Sequence, residues 1–219
     1  MDMRLDTRVD SSAAAGAGPS RTKKGGATRA ALLDSTIHLL ASTGYAATTT
    51  QAVLDHCGLS RGSLLHQFKT REALMVAAAE EAVERMFIAV GSALSTFSDP
   101  MDALRQYPFA LWAVQNEPPA RAYAELQLAS RWESGLRAQL RQSVKAMNER
   151  MGREIREAAE LIGLGDAGKL MVEIGVLISA IQGLAVSSTL VEDSGWVDDV
   201  LAALTGHYSA CLEELIDGR

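Results

Sequence analysis

Aromatic residues and cysteines are scarce in this chain of 219 residues. Phe, Trp and Tyr together make up 5% of the sequence, and the two cysteines are Cys57 and Cys211. Because β-strands draw on aromatic and β-branched residues, this composition favours helices over sheets. The cysteines are far apart, form no C-x-x-C pair and have no partnering histidine cluster. A disulfide framework or zinc site is therefore not expected, and a cytoplasmic location is predicted.

Sequence support for catalysis is weak. No H-E-x-x-H or Walker pattern occurs, and the histidines (His38, His56, His66 and His207) fall on unrelated segments. The letters of G-x-S-x-G occur at residues 58–62 and those of G-x-G-x-x-G at residues 163–168, but both lie at predicted turns between helices and follow no strand, which these motifs require. We therefore expect a protein that is not an enzyme and that needs no cofactor and no metal.

Long apolar runs are limited to one segment. Residues 1–20 contain none, so no secretory signal is predicted. Residues 174–191 carry no charge over 18 positions, which is long enough for a membrane span. Polar residues such as Gln182 lie inside this run and its flanks are acidic or mixed, so we expect a helix buried on most sides and no membrane partner.

Positive charge is concentrated near the N-terminus, although the whole chain has a net charge of −6. Residues 21–72 hold seven basic and three acidic side chains, whereas residues 73–219 hold twelve basic and twenty-one acidic ones. A basic segment joined to an acidic body indicates a phosphate-binding surface at one end only.

Helical periodicity begins after a Gly- and Ser-rich start. Residues 1–27 predict a flexible arm with a basic tip, and an amphipathic helix from Thr28 is closed by Gly44. Thr48 and Gln51 fit a capping box for a short second helix. Gly58-Leu59-Ser60 then separates that helix from a third over residues 61–68, which predicts a helix-turn-helix.

The rest of the chain predicts further helices. A long one runs over about residues 71–97, another starts at Asp99 and is kinked at Pro108, and one or two more cover residues 120–162. No segment alternates with a period of two. The predicted fold is all-α, with a helix-turn-helix domain over residues 28–75 and a helical bundle over residues 76–219.

The segment from Gly44 to Leu74 resembles the DNA-binding domain of the tetracycline-repressor (TetR) family. That family has a Gly-aromatic corner, a Thr-led helix, an A-G-V-S turn, a G-x-L-Y-x-H-F recognition helix and a [K/R]-E-x-L entry to the fourth helix. The matching positions are Gly44, Tyr45, Thr48, Gly58, Ser60, Gly62, Leu64, Phe68, Glu72 and Leu74. Two positions depart from the pattern: Leu65 replaces the tyrosine that often binds a phosphate, and Leu54 replaces a small residue.

The resemblance implies a DNA-binding surface on the third helix. Small and polar residues at its start fit a major groove, and Arg61 suits guanine or phosphate. The predicted DNA-binding residues are Lys23, Lys24, Thr48, Thr49, Ser60, Arg61, Gly62, Ser63, Leu65, His66 and Lys69. For Thr48 a capping role, and for Gly62 a packing role, remain alternatives.

The resemblance also implies an effector pocket and a homodimer. The candidate ligand-binding residues are aromatic, Met and amide side chains of the middle helices, and for each of them ordinary core packing is the alternative: Phe109, Trp112, Gln115, Tyr123, Gln127, Trp132, Met147, Met151 and Gln182. The candidate dimer-interface residues are Gly175, Ser179, Gly183, Val197, Leu201, Leu204, Tyr208 and Leu212, with completion of a monomer core as the alternative.

The resemblance thus implies a regulator, usually a repressor, that leaves a pseudo-palindromic operator when a small, largely apolar effector binds. The alternative is a helical small-molecule-binding or scaffold protein whose helix-turn-helix no longer reads DNA. Leu54, Leu65 and the acidic total motivate that alternative.

Overall fold

The computed structural model describes residues 23–192 and 194–217, and within them it is built of α-helices without a strand. The residues of the predicted arm up to position 22 lie outside the described part. The helices are α1 Lys23–Ala47, α2 Thr50–Cys57, α3 Arg61–Gln67, α4 Arg71–Leu94, α5 Pro100–Arg105, α6 Tyr107–Gln115, α7 Pro118–Ala129, α8 Ser134–Leu161, α9 Ala167–Ser188 and α10 Ser194–Asp217. We call α1–α3 the head and α5–α10 the body; α4 joins them.

Each junction in the head is made by local hydrogen bonds. Thr49, Ser60 and Thr70 precede α2, α3 and α4, and each side-chain oxygen accepts a backbone N–H three residues later, at 3.1–3.2 Å. Gly58 has a φ of 66°, and its N–H donates to Leu54 O at 2.9 Å to close α2. These contacts satisfy helix-end donors and acceptors and fix the predicted helix-turn-helix.

Helix α1 begins at Lys23, five residues before the predicted start at Thr28. The Gly25-Gly26 pair suggested flexibility, because each glycine costs about 1 kcal/mol in a helix. In the structure the first turns are held by tertiary contacts. Gln67 Nε2 donates to Gly25 O at 3.2 Å, and the Arg29 guanidinium lies 4.7 Å from the centre of the Phe68 ring.

The helix predicted after Asp99 is divided in two. Helix α5 ends at Arg105, and Pro108 lies in the first turn of α6 rather than at a kink inside one helix. Backbone N–H groups in the first turn of a helix have no acceptor within that helix. A proline, which has no N–H, is therefore well tolerated at this position.

One hydrophobic core joins the head to the body. Leu32, Leu40 and Val53 of the head are buried with Leu74 of α4 and Leu126 of α7, all at 1% exposure or less. Helix α1 packs on α7, where the Glu125 carboxylate accepts the Tyr45 N–H at 3.2 Å. The backbone break at Gly44 and Tyr45, which we call the head corner, is therefore hydrogen-bonded directly to a body helix.

A second core lies between α6, α8, α9 and α10. Helix α9 contributes one buried stripe to it, composed of Leu170, Ile174, Leu177, Ile181 and Leu184. The opposite side of α9 is open, with Val172, Val176 and Val186 about half exposed or more. The expectation that this helix is buried on most sides is wrong for the single chain, because no second element covers its outer face within the described residues.

By length and composition alone, α9 is the one helix in the described ranges that could cross a membrane, and 28% of its apolar window is buried.

Candidate functional site

The outward face of α3 carries most of the predicted DNA-binding residues. Leu64 and Phe68 anchor the helix in the core, which leaves Arg61, Leu65 and His66 exposed on the other side. The remaining members are Ser60, Gly62 and Lys69, which are exposed, and Ser63, which is half-buried. The start of this face is polar and basic, as insertion of a helix N-terminus into a groove requires.

The backbone at Gly62 is open to close approach. A Cβ added there would meet only Ser60 Oγ, at 3.8 Å, and the residue has no positive φ. Packing within the chain therefore does not require a glycine at this position.

Thr48 is wrongly placed among the predicted DNA-binding residues. It is fully buried and its hydroxyl donates to Gly44 O at 2.8 Å. The N-cap of α2 is Thr49, one residue later than predicted, and Thr49 is exposed. Gly44 breaks the helical backbone (φ 79°, ψ 172°), and its carbonyl accepts both the Thr48 N–H, at 3.2 Å, and the Thr48 hydroxyl.

Lys23 and Lys24 lie in the first turn of α1, and their side chains lie outside the described part of the structure.

Arg71 holds the corner of the head against the start of α4. Its Nη2 donates to Tyr45 O at 2.8 Å and to Thr48 O at 3.2 Å, and its Nε donates to Thr48 O at 3.3 Å. Its guanidinium also lies 4.1 Å from the centre of the Tyr45 ring. The sequence contained a signal for this role, because the TetR pattern has a basic residue at the entry to the fourth helix.

The body contains a cavity of about 550 Å³ between α4, α6, α7, α8 and α9. Its walls are mainly apolar. Six of the nine predicted ligand-binding residues line it: Gln115, Tyr123, Gln127, Met147, Met151 and Gln182. Their role in ligand binding stays a prediction. A smaller cavity of about 280 Å³ adjoins it and shares the walls formed by Val83, Phe87 and Tyr123.

Three predicted ligand residues lie outside both cavities. Trp132 follows the end of α7 and is 82% exposed, with the Arg131 guanidinium 5.8 Å from its ring centre. Phe109 is 48% exposed, and Trp112 packs against the second core. Residue type suggested these positions. The direction in which α6 faces excludes Phe109 and Trp112 from the cavity wall, and Trp132 lies in the exposed segment after α7.

The charged group that lines the larger cavity is Glu154, and it is paired. Arg150 Nε donates to its carboxylate at 2.8 Å, while Arg150 Nη1 donates to Glu84 at 2.5 Å. Burial, together with the nearby charge of Glu154, raises the pKa of Tyr107 to about 12. Tyr107 is therefore a neutral hydroxyl at physiological pH, next to a carboxylate that already has a partner.

Several lining residues were missed in the sequence analysis. Helix α4 supplies Val83, Met86, Phe87, Val90, Gly91 and Leu94, and the other helices add Tyr107, Asn148 and Glu154. The spacing of the apolar residues on α4 was a signal that this face is buried. It did not show that the space opposite remains open.

The predicted dimer-interface residues separate into two groups. Leu201, Tyr208 and Leu212 are buried in the second core of the same chain, and Val197 and Leu204 pack against it. An interface role is wrong for Leu201, Tyr208 and Leu212, because they are buried within the chain. For Val197 and Leu204, which are half-buried, it stays a prediction. Gly175 and Ser179 line the cavity, while Gly183 is exposed on the open side of α9.

Comparison with known proteins supports the resemblance seen in the sequence. The family model described as "Bacterial regulatory proteins, tetR family" matches residues 32–78. The uncharacterized HTH-type transcriptional regulator YerO of Bacillus subtilis (strain 168) is 41% identical over 49 residues. That match spans 22% of this chain and 17% of the length of YerO.

Solved structures share the whole architecture. A TetR transcriptional regulator from Chloroflexus aurantiacus superposes with a TM-score of 0.68 at 20% identity, covering 86% of this chain and 97% of its own. The multidrug binding protein EbrR, solved with imidazole, gives a TM-score of 0.56 at 24% identity and covers 85% and 96% of the two chains. At these identities the likeness establishes the fold.

Residues 32–78 of this chain thus match the tetR family model, and the chain has the fold of solved TetR-type regulators.

Proposed function

We propose that the protein is a DNA-binding transcriptional regulator, a repressor that acts as a homodimer in the cytoplasm and is released from DNA by a small, largely apolar effector. The observation that carries the proposal is the exposed, polar and basic face of α3 on a helix-turn-helix that matches the tetR family model.

On DNA, the first turn of α3 enters the major groove. Arg61 is exposed there and reaches guanine O6 and N7 or a phosphate, while Gly62 allows the backbone to approach closely. Thr49, before α2, and Lys69, after α3, are exposed at the two ends of the helix-turn-helix, where they can donate hydrogen bonds to DNA phosphate oxygens. Leu65 is 50% exposed and contributes an apolar contact, which fits a thymine methyl group.

The homodimer forms through the open side of α9. This side exposes Val172, Val176, Gly183 and Val186. Because Gly183 has no side chain, a second helix can approach closely there. Leu190, just beyond α9, is 88% exposed and extends the patch. In a dimer with a twofold axis, this patch of one chain packs against the same patch of the other. The two α3 helices then face two half-sites of the DNA operator about 34 Å apart.

The effector occupies the larger cavity. A volume of about 550 Å³ suits a drug-sized molecule. The polar groups offered to it are amides and hydroxyls, such as Gln115, Gln182 and Tyr107, and the carboxylate of Glu154 is already paired with Arg150. This wall favours a neutral or weakly polar ligand. EbrR, which shares the fold, is a multidrug binding protein, and an apolar cavity of this kind is consistent with a similar role here.

Two helices transmit the occupied state of the cavity to the head. Helix α4 lines the cavity with Phe87 and Leu94 and begins at Arg71, which holds the head corner. Helix α7 lines it with Tyr123 and Gln127 and holds the same corner through Glu125. An effector that fits one orientation of these helices better than the other shifts the spacing of the α3 helices.

The proposal is tested by selecting bound sequences from a random duplex pool with the purified full-length protein. We expect a palindromic motif whose recovery is lost in Arg61→Ala and retained in Arg141→Ala, an exposed arginine of α8 with the same charge change. Failure of the wild type to enrich any motif at low salt would contradict the proposal and favour the binding protein with a degenerate helix-turn-helix.

The dimer is tested separately by light scattering after gel filtration. We expect twice the mass of one chain for the wild type and for Leu128→Asp, which alters an exposed leucine of α7. Val176→Asp, on the open face of α9, is expected to give the mass of one chain. A dimeric Val176→Asp protein would place the interface elsewhere.

A further inference from the structure

Three donor groups meet where α9 and α10 pack together. Glu173 is on α9, and His207 and Cys211 lie one turn apart on α10. His207 Nε2 lies 3.6 Å from Glu173 Oε2 and 3.7 Å from Cys211 Sγ. All three donor atoms lie within 4.8 Å of one another. We call this group the α9–α10 cluster.

The separations fit a single small cation. With Zn–S near 2.3 Å and Zn–N or Zn–O near 2.0–2.1 Å, a tetrahedral ion holds its ligand atoms roughly 3.4–3.6 Å apart. The two measured separations in the α9–α10 cluster are within about 0.3 Å of that range. The third separation, between the Glu173 carboxylate and Cys211 Sγ, is at most 4.8 Å, so side-chain rotations that shorten it bring the three atoms to one ion.

The donor types indicate which cation would be bound. A thiolate, an imidazole and one carboxylate suit Zn²⁺ and related thiophilic ions, whereas Mg²⁺ and Ca²⁺ take oxygen ligands. Three protein ligands leave one position for water or a further carboxylate. Glu214 lies three residues after Cys211, and its carboxylate is held by Lys169 Nζ at 3.4 Å.

The alternative interpretation is a hydrogen-bonded surface group without a metal. His207 has 62% of its side chain exposed, and in its protonated form it pairs with Glu173. That interpretation accounts for the Glu173–His207 contact and, through the i, i+4 spacing on α10, for the hydrogen bond between His207 and Cys211. The two interpretations differ in whether the three atoms bind a metal ion, which a metal titration decides.

We propose that Glu173, His207 and Cys211 form a binding site for a thiophilic divalent cation of the Zn²⁺ type, which joins α9 to α10. The site is separate from the apolar cavity and does not depend on the proposed DNA-binding function.

Burial and the charge of Glu173 raise the pKa of the Cys211 thiol, so the incoming ion must displace a proton from sulfur.

The test uses tag-free, full-length protein titrated with Co²⁺. We expect one ion per chain, with a sulfur-to-cobalt charge-transfer absorption and tetrahedral ligand-field bands that Zn²⁺ then abolishes by displacement. Cys211→Ser is expected to remove the charge-transfer band. The matched control is Cys57→Ser, which changes the other cysteine and is expected to keep the band.

Two further measurements separate loss of ligation from loss of folding. His207→Gln and Glu173→Gln are expected to keep the far-ultraviolet circular dichroism of the wild type and to weaken Zn²⁺ binding about tenfold or more. Zn²⁺ is expected to raise the melting temperature of the wild type and of Cys57→Ser, and Mg²⁺ is not. Absence of the charge-transfer band in the wild type, or its persistence in Cys211→Ser, would overturn the proposal.

Discussion

The helices of the head and those of the body differ in how their N-termini are capped. In the head, α2 and α3 start with a hydroxyl cap, and so does α4 where it leaves the head. In the body, α5 and α9 are capped by Asp99 and Asp166, but α6, α7 and α8 start without a side-chain cap hydrogen bond in the part of the chain that the structure describes. The three uncapped helices are among those that enclose the larger cavity.

The difference shows how one chain combines a preformed surface with an adaptable one. Local hydrogen bonds fix the helix junctions of the head, in addition to its contacts with α4 and α7. Among the helices that form the cavity, α6, α7 and α8 are positioned by packing without a side-chain cap, whereas α4 and α9 are capped. The buried Tyr208 hydroxyl also has no hydrogen-bond partner among the described residues, which marks a less complete fit in the body. Four experiments test this comparison.

The largest effect is expected where the two regions share a core. Leu126→Ala removes a fully buried side chain of α7 and should lower the free energy of unfolding by about 2–5 kcal/mol. Leu128→Ala, which changes a half-exposed leucine on the same helix, should cost less than about 0.5 kcal/mol. Urea unfolding followed by circular dichroism measures both. A transition of the head that is unaffected by Leu126→Ala would show that the head folds independently of α7.

Arg71→Lys tests the attachment of the head corner to α4. Lysine keeps the charge but loses the planar fork that holds Tyr45 O and Thr48 O, so we expect a loss of about 1.5–3 kcal/mol. Arg121→Lys, on the exposed side of α7, is the matched control. Equal stability of the two variants in urea would mean that local caps alone hold the corner.

The caps themselves are tested by Ser60→Ala and Thr70→Ala. Each removes an acceptor for a helix N-terminal N–H, and each should cost about 1 kcal/mol. Glu117→Ala changes the residue before α7, where no side-chain cap bond exists, and should stay within about 0.5 kcal/mol. A cost at Glu117 as large as that at Ser60 would remove the distinction between head and body.

The smallest effect on stability is expected for Glu125→Gln. Its amide oxygen still accepts the Tyr45 N–H, but the charge assistance is lost, so we expect a change of about 0.5–1 kcal/mol. Faster hydrogen exchange should be confined to the peptide around Gly44 and Tyr45, as measured by mass spectrometry. Glu133→Gln, before α8, serves as the control, and a uniform change along the chain would argue against a local tie.

The helix boundaries of the head were predictable because the residues that determine them act on neighbours within a few positions in the sequence. Gly58, Ser60 and Thr70 specify a helix end or start through their own backbone or hydroxyl, and the structure confirms each of them. Thr48 and Thr49 show the limit of this reasoning. As a pattern, either threonine could cap α2, but in the structure the backbone break at Gly44 turns the Thr48 hydroxyl inward to Gly44 O and leaves Thr49 as the cap.

The body was less predictable because its sites depend on which way each helix faces. The apolar stripe of α10 fits an inner core and a dimer interface equally well as a pattern, and the packing of α9 selects the core. The α9–α10 cluster illustrates the same limit. Glu173 lies more than thirty residues from His207, so no spacing rule could bring it to Cys211 before the helices were placed.

The uninterrupted length of α4 has a mechanical consequence. Its 24 residues span about 36 Å, and about 24 Å separate Phe87 at the cavity from Arg71 at the head corner. A rotation of roughly 5° about the cavity end displaces the other end by about 2 Å. That displacement exceeds the range of donor–acceptor distances over which a hydrogen bond such as the one from Arg71 to Tyr45 O persists. A stiff helix of this length converts a small rotation at the cavity into a larger displacement at the head. The ratio between the two depends on the distance along the helix and not on the chemistry of the ligand.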